Sequence, residues 1–162
     1  MAAKQEVRGS YTEGSDTEGS DTEGSDTEGS DTNYVNRLVE NACRSGEEFI
    51  NLYYETFDKR RHVLSKLYTD TSEIVWNGHH VKGFDGLNEY FASLPASAHH
   101  VHAVDCQPVS EKVSPGSTTI AVFVDGTVSY DDGKPKIFSQ NFVLNAEGDV
   151  WKVVSDCFRI TP

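Results

Sequence analysis

The segment VWKVVSDCFRI, Val150–Ile160, decides the fold because it alternates like a β-strand while staying largely apolar on both faces. Successive side chains of a strand point to opposite faces of its sheet. One face is therefore predicted to hold Val150, Val154, Phe158 and Ile160, and the other Trp151, Val153, Ser155, Cys157 and Arg159. Both faces of such a strand need to be covered, and Arg159 stands near the end of one of them.

The same period of two extends upstream of this strand as far as Pro95. Four strands are predicted in this half of the chain, over residues 99–113, 118–131, 136–146 and 149–160. The breaks between them read SPGS, DDGKP and EGD, which are turn sequences suited to antiparallel hairpins. The C-terminal half therefore predicts a meander of long strands.

Helical periodicity dominates the first half of the chain. A long helix is predicted to begin near Tyr34, with Asp31 or Thr32 as its N-cap. A shorter helix is predicted from Asp58 and a third over residues 83–95, and the sequences SEIVWNG and HHVKG between them predict two short strands. Helices followed by strands predict an α+β domain in which three helices pack on one face of a curved antiparallel sheet.

The second face of this sheet is predicted to lack a cover, because three helices can occupy only one side. It should carry Phe123 and Asp125 on one strand, Ile137 and Val143 on the next, and Trp151 on the last. A one-sided antiparallel sheet is normally polar outside, so a dimer through this face is the favoured interpretation. The alternative is a monomer with scattered apolar residues on its surface, which is common.

An acidic repeat precedes the predicted domain. Four tandem copies of TEGSD place eight acids and no base between residues 12 and 32, and they contain no apolar residue. Such a segment cannot offset the entropy of ordering, so residues 1–32 are predicted to be a disordered tail and residues 33–162 the folded domain. Of the formal charge of −12, residues 1–11 contribute +1, which leaves −5 from residue 33 onward. A mildly acidic domain is not suited to direct binding of nucleic acid.

Three serines of the repeat are candidate phosphorylation sites. Ser15, Ser20 and Ser25 each stand in the sequence Ser-Asp-Thr-Glu, with acids at the first and third following positions. This pattern resembles the site preferred by acidophilic kinases such as casein kinase 2, and phosphates would deepen the negative charge. The alternative is a solvating tail produced by repeat expansion.

Residue types that bind metals are present without a convincing arrangement. His79 and His80 are adjacent, and His100 and His102 share a strand face, but no third ligand has a suitable spacing. The cysteines at positions 43, 106 and 157 are odd in number, far apart and without a CxxC motif, so they predict free thiols. No metal site, disulfide or cofactor is predicted.

A curved sheet closed by helices can enclose a catalytic pocket. Asp105 and Asp156 are the acids that could point inward and transfer protons. The sequence offers no nucleophile beside a base and no phosphate-binding loop, so the prediction is that the protein is not an enzyme. No apolar run approaches the length of a membrane span, so we also expect no membrane insertion and an intracellular location.

Five segments carry a resemblance to a known family: EEFINLYYETFDKRRHVLSKLY, VWNG, VDCQPV, QNFVL and VWKVVSDCFR. Together they resemble the nuclear transport factor 2-related export proteins, the small partner of the messenger-RNA export receptor, over residues 34–159. The resemblance implies a cone-shaped sheet with three helices. It also implies a heterodimer, formed through the sheet face, with the similar domain of the large export receptor.

The resemblance further implies what the dimer does and which residues form it. In the family the complex docks on phenylalanine-glycine nucleoporins without catalysis, and we expect RNA contact only through the complex, with shuttling between nucleus, pore and cytoplasm. The arginine that follows Asp-Cys-Phe pairs with an aspartate of the receptor, and here this residue is Arg159. Cys157 shares its strand face, and Phe123 occupies the equivalent interface position on a neighbouring strand.

Nuclear transport factor 2 itself is the competing resemblance, and it implies a homodimer that imports the Ran GTPase in its GDP form. That protein has an acidic residue between the Trp and Gly of the first strand, where this chain has Asn77. Asp131 and Asp132 keep negative charge in the other loop that would face Ran, so this alternative stays open. Asn77, together with the DKRR and DCQPV sequences, favours the export branch.

Overall fold

The computed structural model describes residues 26–131 and 133–162. Along the described chain the elements are α1 Asp26–Lys59, the 3-10 helix Arg61–Leu67, β1 Tyr68–Trp76, β2 His79–Lys82, α2 Gly83–Ser93, β3 Ala98–Pro108, β4 Thr119–Ser129, β5 Lys136–Glu147 and β6 Val150–Ile160. The α+β domain with three helices on a curved sheet is confirmed. The first 25 residues of the predicted tail, which include Ser15, Ser20 and Ser25, lie outside the described residues.

The six strands form one sheet in the order β2-β1-β6-β5-β4-β3. The meander from β3 to β6 is antiparallel throughout, and β1 pairs antiparallel with β2. The pairing of β1 with β6 is parallel, so the prediction of a wholly antiparallel sheet is wrong at this position. The reason lies in the crossover through α2, which carries the chain to the far edge before the meander returns β6 to the side of β1.

The helix α1 begins earlier than the sequence predicted. It starts at Asp26 rather than near Tyr34, so the N-cap assigned to Asp31 or Thr32 is wrong. A helix that is already anchored by buried residues such as Phe49 and Tyr53 extends at little cost. Acids near its N-terminus are also favoured by the helix dipole.

Close packing of α1 on β3 depends on a glycine in the middle of the helix. A Cβ atom built at Gly46 would lie 2.2 Å from the Sγ atom of Cys106 on β3. The helix therefore lies on the sheet at a distance that only a residue without a side chain permits. This contact places the helices on what we call the inner face of the sheet.

A β-bulge in β6 changes which side chains point inward. Val143 of β5 pairs with Ser155, but the next residue, Leu144, pairs with Val153, so Val154 is an extra residue on β6. Val153 is consequently buried, and Trp151 packs against the core. The prediction that Trp151 and Val153 lie on the outer face is therefore wrong. The predicted inward position of Val150 is wrong as well, since Val150 is 54% exposed.

Candidate interface on the outer sheet face

The face of the sheet opposite the helices, here called the outer face, carries exposed apolar side chains from three strands. They are Val75 on β1, Phe123 on β4, and Ile137 and Val143 on β5, and their exposed fractions run from 36% to 60%. The residues on both sides of Val75, Phe123 and Val143 are buried, as the alternation requires, and Phe138 beside Ile137 is buried as well. An apolar surface spread over adjacent strands is typical of a site that binds another protein.

Two of the three residues predicted to bind the partner lie in one row across the outer face. Phe123 pairs in register with Asn141, Asn141 with Cys157, and Cys157 with Val75. Adjacent strands lie about 4.8 Å apart, so Phe123 and Cys157 are separated by roughly 10 Å. The Cys157 thiol is free and exposed. The fold thus brings these residues together on one surface, although whether they bind a partner stays a prediction.

Arg159, the third predicted residue, stands one row further along β6. It pairs in register with Ser139 of β5, and Ser139 pairs with Asp125 of β4. The Ser139 hydroxyl donates a hydrogen bond of 2.5 Å to Oδ1 of Asp125. Arg159 is exposed, and its side chain makes no hydrogen bond or ion pair within residues 26–131 and 133–162. Its guanidinium group is therefore available to a partner.

The turn between β1 and β2 holds the end of β6 that carries Arg159. Asn77 has a φ of 48°, a left-handed conformation that asparagine tolerates better than most residues. Its backbone N–H donates to the carbonyl of Phe158 at 2.9 Å, and its side-chain Oδ1 accepts from the N–H of Ile160 at 2.8 Å. Asn77 thus connects the turn to both neighbours of Arg159. Sequence reasoning considered Asn77 only for its missing charge, although the Asn-Gly pair signals a tight turn.

Beneath the outer face, Asp156 of β6 points into the core. The Tyr68 hydroxyl donates to its Oδ2 atom at 2.8 Å, and Nε2 of Gln140 lies 2.9 Å from each of its carboxylate oxygens. Tyr53 contacts the same carboxyl group, and the Tyr54 hydroxyl donates to Oε1 of Gln140. Burial raises the pKa of Asp156 to about 7, and the hydrogen bonds from Gln140, Tyr68 and Tyr53 oppose that rise.

The two acids weighed for catalysis lie on opposite faces. Asp105 is exposed on the outer face beside Phe123, so the prediction that it could point inward is wrong. Asp156 does point inward, but it is only 2% exposed. Two cavities, of about 410 and 300 Å³, lie elsewhere on the molecule, and Asp156 lines neither.

The DKRR sequence fastens the end of α1 to the start of β3. Asp58 accepts hydrogen bonds from both the ring and the backbone N–H of His99, at 2.7 and 2.8 Å, and Arg61 donates to the carbonyls of Leu94 and Pro95. Burial alone would raise the pKa of Asp58, but the bonds from His99 lower it below its usual value. These residues hold the helices against the sheet, a role that sequence reasoning did not assign.

The paired histidines make local contacts at the sheet margin. His80 and Lys82 both approach the carboxylate of Glu73, at 3.3 and 2.7 Å. The rings of His100 and His102 lie 5.2 Å apart. Within the part of the chain that the structure describes, no group of three or more His, Cys, Asp or Glu residues could hold a metal ion. No helix among the same residues is both long and apolar enough to cross a membrane.

The sequence is similar to those of known proteins. Residues 45–160 match the family model of the nuclear transport factor 2 (NTF2) domain. The chain is 49% identical over 125 residues to NTF2-related export protein 2 of Homo sapiens, covering 75% of this chain and 88% of that protein. It is 48% identical over 125 residues to NTF2-related export protein 1 of Bos taurus, covering 75% of this chain and 89% of that protein.

A solved structure shares the architecture described above. Nuclear transport factor 2 from Cryptosporidium parvum superimposes with a TM-score of 0.66 at 32% sequence identity, covering 74% of this chain and 94% of that one. The export proteins are thus more similar in sequence to this chain than that nuclear transport factor 2 is.

Proposed function

The chain belongs to the nuclear transport factor 2 family, and on this basis we propose that it is a non-catalytic adaptor subunit for nuclear export of messenger RNA. Its partner is the large mRNA export receptor, which it binds through that receptor's nuclear transport factor 2-like domain. The heterodimer docks on phenylalanine-glycine nucleoporins and carries RNA that the adaptor contacts only through the complex. The protein then shuttles through the nuclear pore between nucleus and cytoplasm.

The observation that carries this proposal is the unpaired Arg159 beside the exposed apolar row of the outer face. A partner that covers Phe123 and Val75 also removes water from Arg159. A charge that loses its hydration needs a counter-charge, so the partner must offer a carboxylate at this point. The aspartate that the family resemblance implies for the receptor meets that requirement. Truncating one member of such a pair typically costs ~2 to 5 kcal/mol of binding free energy.

The proposal that the adaptor has no catalytic role has separate support. The acid in the core, Asp156, is 2% exposed and is hydrogen-bonded to tyrosines and to Gln140. Two relatives, at 49% and 48% identity, are named as export proteins. The burial of Asp156 and the similarity of the chain to export proteins both favour a structural role for this carboxyl group.

Affinity purification tests the adaptor proposal. Tagged wild-type protein from nuclear extract should recover the large export receptor, identified by mass spectrometry, and Arg159→Glu should lose it. Arg44→Glu is the matched control, because it makes the same charge reversal on the exposed side of α1. Recovery of the receptor by the Arg159 variant at the wild-type level would contradict the proposal.

Import of Ran-GDP is the second candidate, and the geometry around Asn77 supports it less. The residue has no charge to offer, and its amide oxygen already accepts a hydrogen bond from Ile160. Asp131 is exposed in the loop between β4 and β5 and is the described acid that favours this alternative. Direct binding of purified Ran-GDP, abolished by Asp131→Lys, would move the assignment to an import carrier.

A further inference from the structure

Two opposite charges occupy one cross-strand row of the outer face. Asp125 on β4 pairs in register with Ser139 on β5, and Ser139 pairs with Arg159 on β6. All three side chains point away from the helices, since the neighbouring Val124, Gln140 and Phe158 are buried. The row therefore presents a carboxylate at one end and a guanidinium at the other, with a hydroxyl between them.

These two side chains form no ion pair with each other in the described structure. Two inter-strand spacings separate their backbones by about 10 Å. The Ser139 hydroxyl donates to Oδ1 of Asp125 and so fixes the direction of the carboxylate. Among the described residues, neither Asp125 nor Arg159 takes part in an ion pair.

The surroundings of the row decide what happens when the face is covered. Phe123 precedes Asp125 by two residues on the same strand, and Ile137 precedes Ser139 in the same way, so both charges lie among exposed apolar groups. A partner that buries this apolar surface must also cover Asp125. Because a buried carboxylate without a counter-charge is strongly unfavourable, the partner needs a cation opposite Asp125 as well as an acid opposite Arg159.

We propose that Asp125 is a second partner-specifying residue of the outer face, and that the partner presents a lysine or arginine to it about 10 Å from the acid that meets Arg159. This inference rests on the proposed function, because the partner is the domain of the export receptor. The partner surface therefore carries the opposite arrangement of charges, with a cation facing Asp125 and a carboxylate facing Arg159. A surface with only the acidic group would leave Asp125 buried and unpaired, so Asp125 selects against it.

Binding of the purified nuclear transport factor 2-like domain of the receptor, measured by calorimetry, tests the inference. Asp125→Lys should raise Kd at least ~10-fold, because it places like charges opposite each other, and Asp125→Asn should raise it less. Glu89→Lys is the control: it makes the same change of charge at an exposed position of α2, on the helical side. Its Kd should equal that of the wild type.

The outcomes separate this inference from the proposed function. Failure of the wild type to bind the receptor domain would overturn the proposed function, and the inference with it. Wild-type binding with an equal Kd for Asp125→Lys would overturn the inference alone. Thermal melting of each variant checks the fold, and no loss is expected because the Asp125 side chain is exposed. Sedimentation showing that Asp125 governs pairing between two copies of this chain would also overturn the inference.

Discussion

Replacing Asp156 by asparagine should make the stability of the domain much less dependent on pH. The groups that face this carboxyl are Tyr53 and Tyr54 of α1, Tyr68 of β1 and Gln140 of β5, and Tyr54 acts through Gln140. All are neutral at physiological pH, so the carboxylate is solvated only by hydrogen bonds. Asparagine has nearly the same shape, and a rotation of the Gln140 amide lets the network accept its NH2 group.

The direction and size of this pH dependence follow from the pKa of Asp156, which burial raises from 3.8 to about 7. Between these values the folded state holds a proton that the unfolded state has lost, so the contribution of Asp156 to stability is greatest below pH 3.8 and falls as pH rises toward 7. A difference of about 3 pKa units corresponds to about 4 kcal/mol in total. Of this, about 2 to 3 kcal/mol should be lost between pH 5 and pH 8.

Urea unfolding of the wild type and Asp156→Asn at several pH values between 5 and 8 measures this difference. The difference between the two free energies of unfolding should change by about 2 to 3 kcal/mol across the range, with the variant gaining stability relative to the wild type as pH rises. That corresponds to a change of roughly 1 to 2 M in the difference between their urea midpoints. Asp105→Asn, which replaces an exposed acid on the outer face, is the control. Its free energy of unfolding should change with pH in the same way as that of the wild type. Parallel curves for Asp156→Asn would refute the reasoning.

Two further predictions concern α1 and the repeat. Gly46→Ala should destabilise the domain by about 1 to 3 kcal/mol, because the new Cβ meets Cys106 Sγ, and a Cys106→Ala background should remove most of that loss in urea unfolding. An unchanged penalty in that background would show that Cys106 is not the obstacle. Phosphorylation of Ser15, Ser20 and Ser25 should appear as added phosphate in the intact mass of protein made in a eukaryotic host, and unphosphorylated protein would contradict it.

Local patterns predicted most elements of this fold. The period of two and the turn sequences located β3 to β6, and helical spacing located α1 and α2. The parallel pairing of β1 with β6 was not predictable in this way, because it joins residues about 80 positions apart and depends on the crossover through α2. The start of α1 was also missed, because local composition describes an isolated segment and takes no account of the anchored helix that follows it.

The candidate interface was predicted in part. Alternation placed Phe123, Cys157 and Arg159 on one face, and the structure has them there. The bulge at Val154 escaped detection because residues 153 and 154 are both valine, so the apolar pattern reads equally well in either phase. The significance of Asp125 was invisible as well. It depends on the register that aligns Asp125 with Ser139 and Arg159, and register is a property of paired strands.

The bulge at Val154 also sets which mutations β6 can tolerate. Beyond it, residues 155, 157 and 159 belong to the outer surface while residues 156 and 158 belong to the interior, so substitutions at alternate positions can remodel the surface and leave the core unchanged. Deleting Val154 would make Val153 and Ser155 consecutive residues, as their partners Leu144 and Val143 already are, so Val153 would stay inward and Arg159 outward. Deleting a residue elsewhere in β6 would shift the strand by one position, and the side chains on one side of the deletion would change faces.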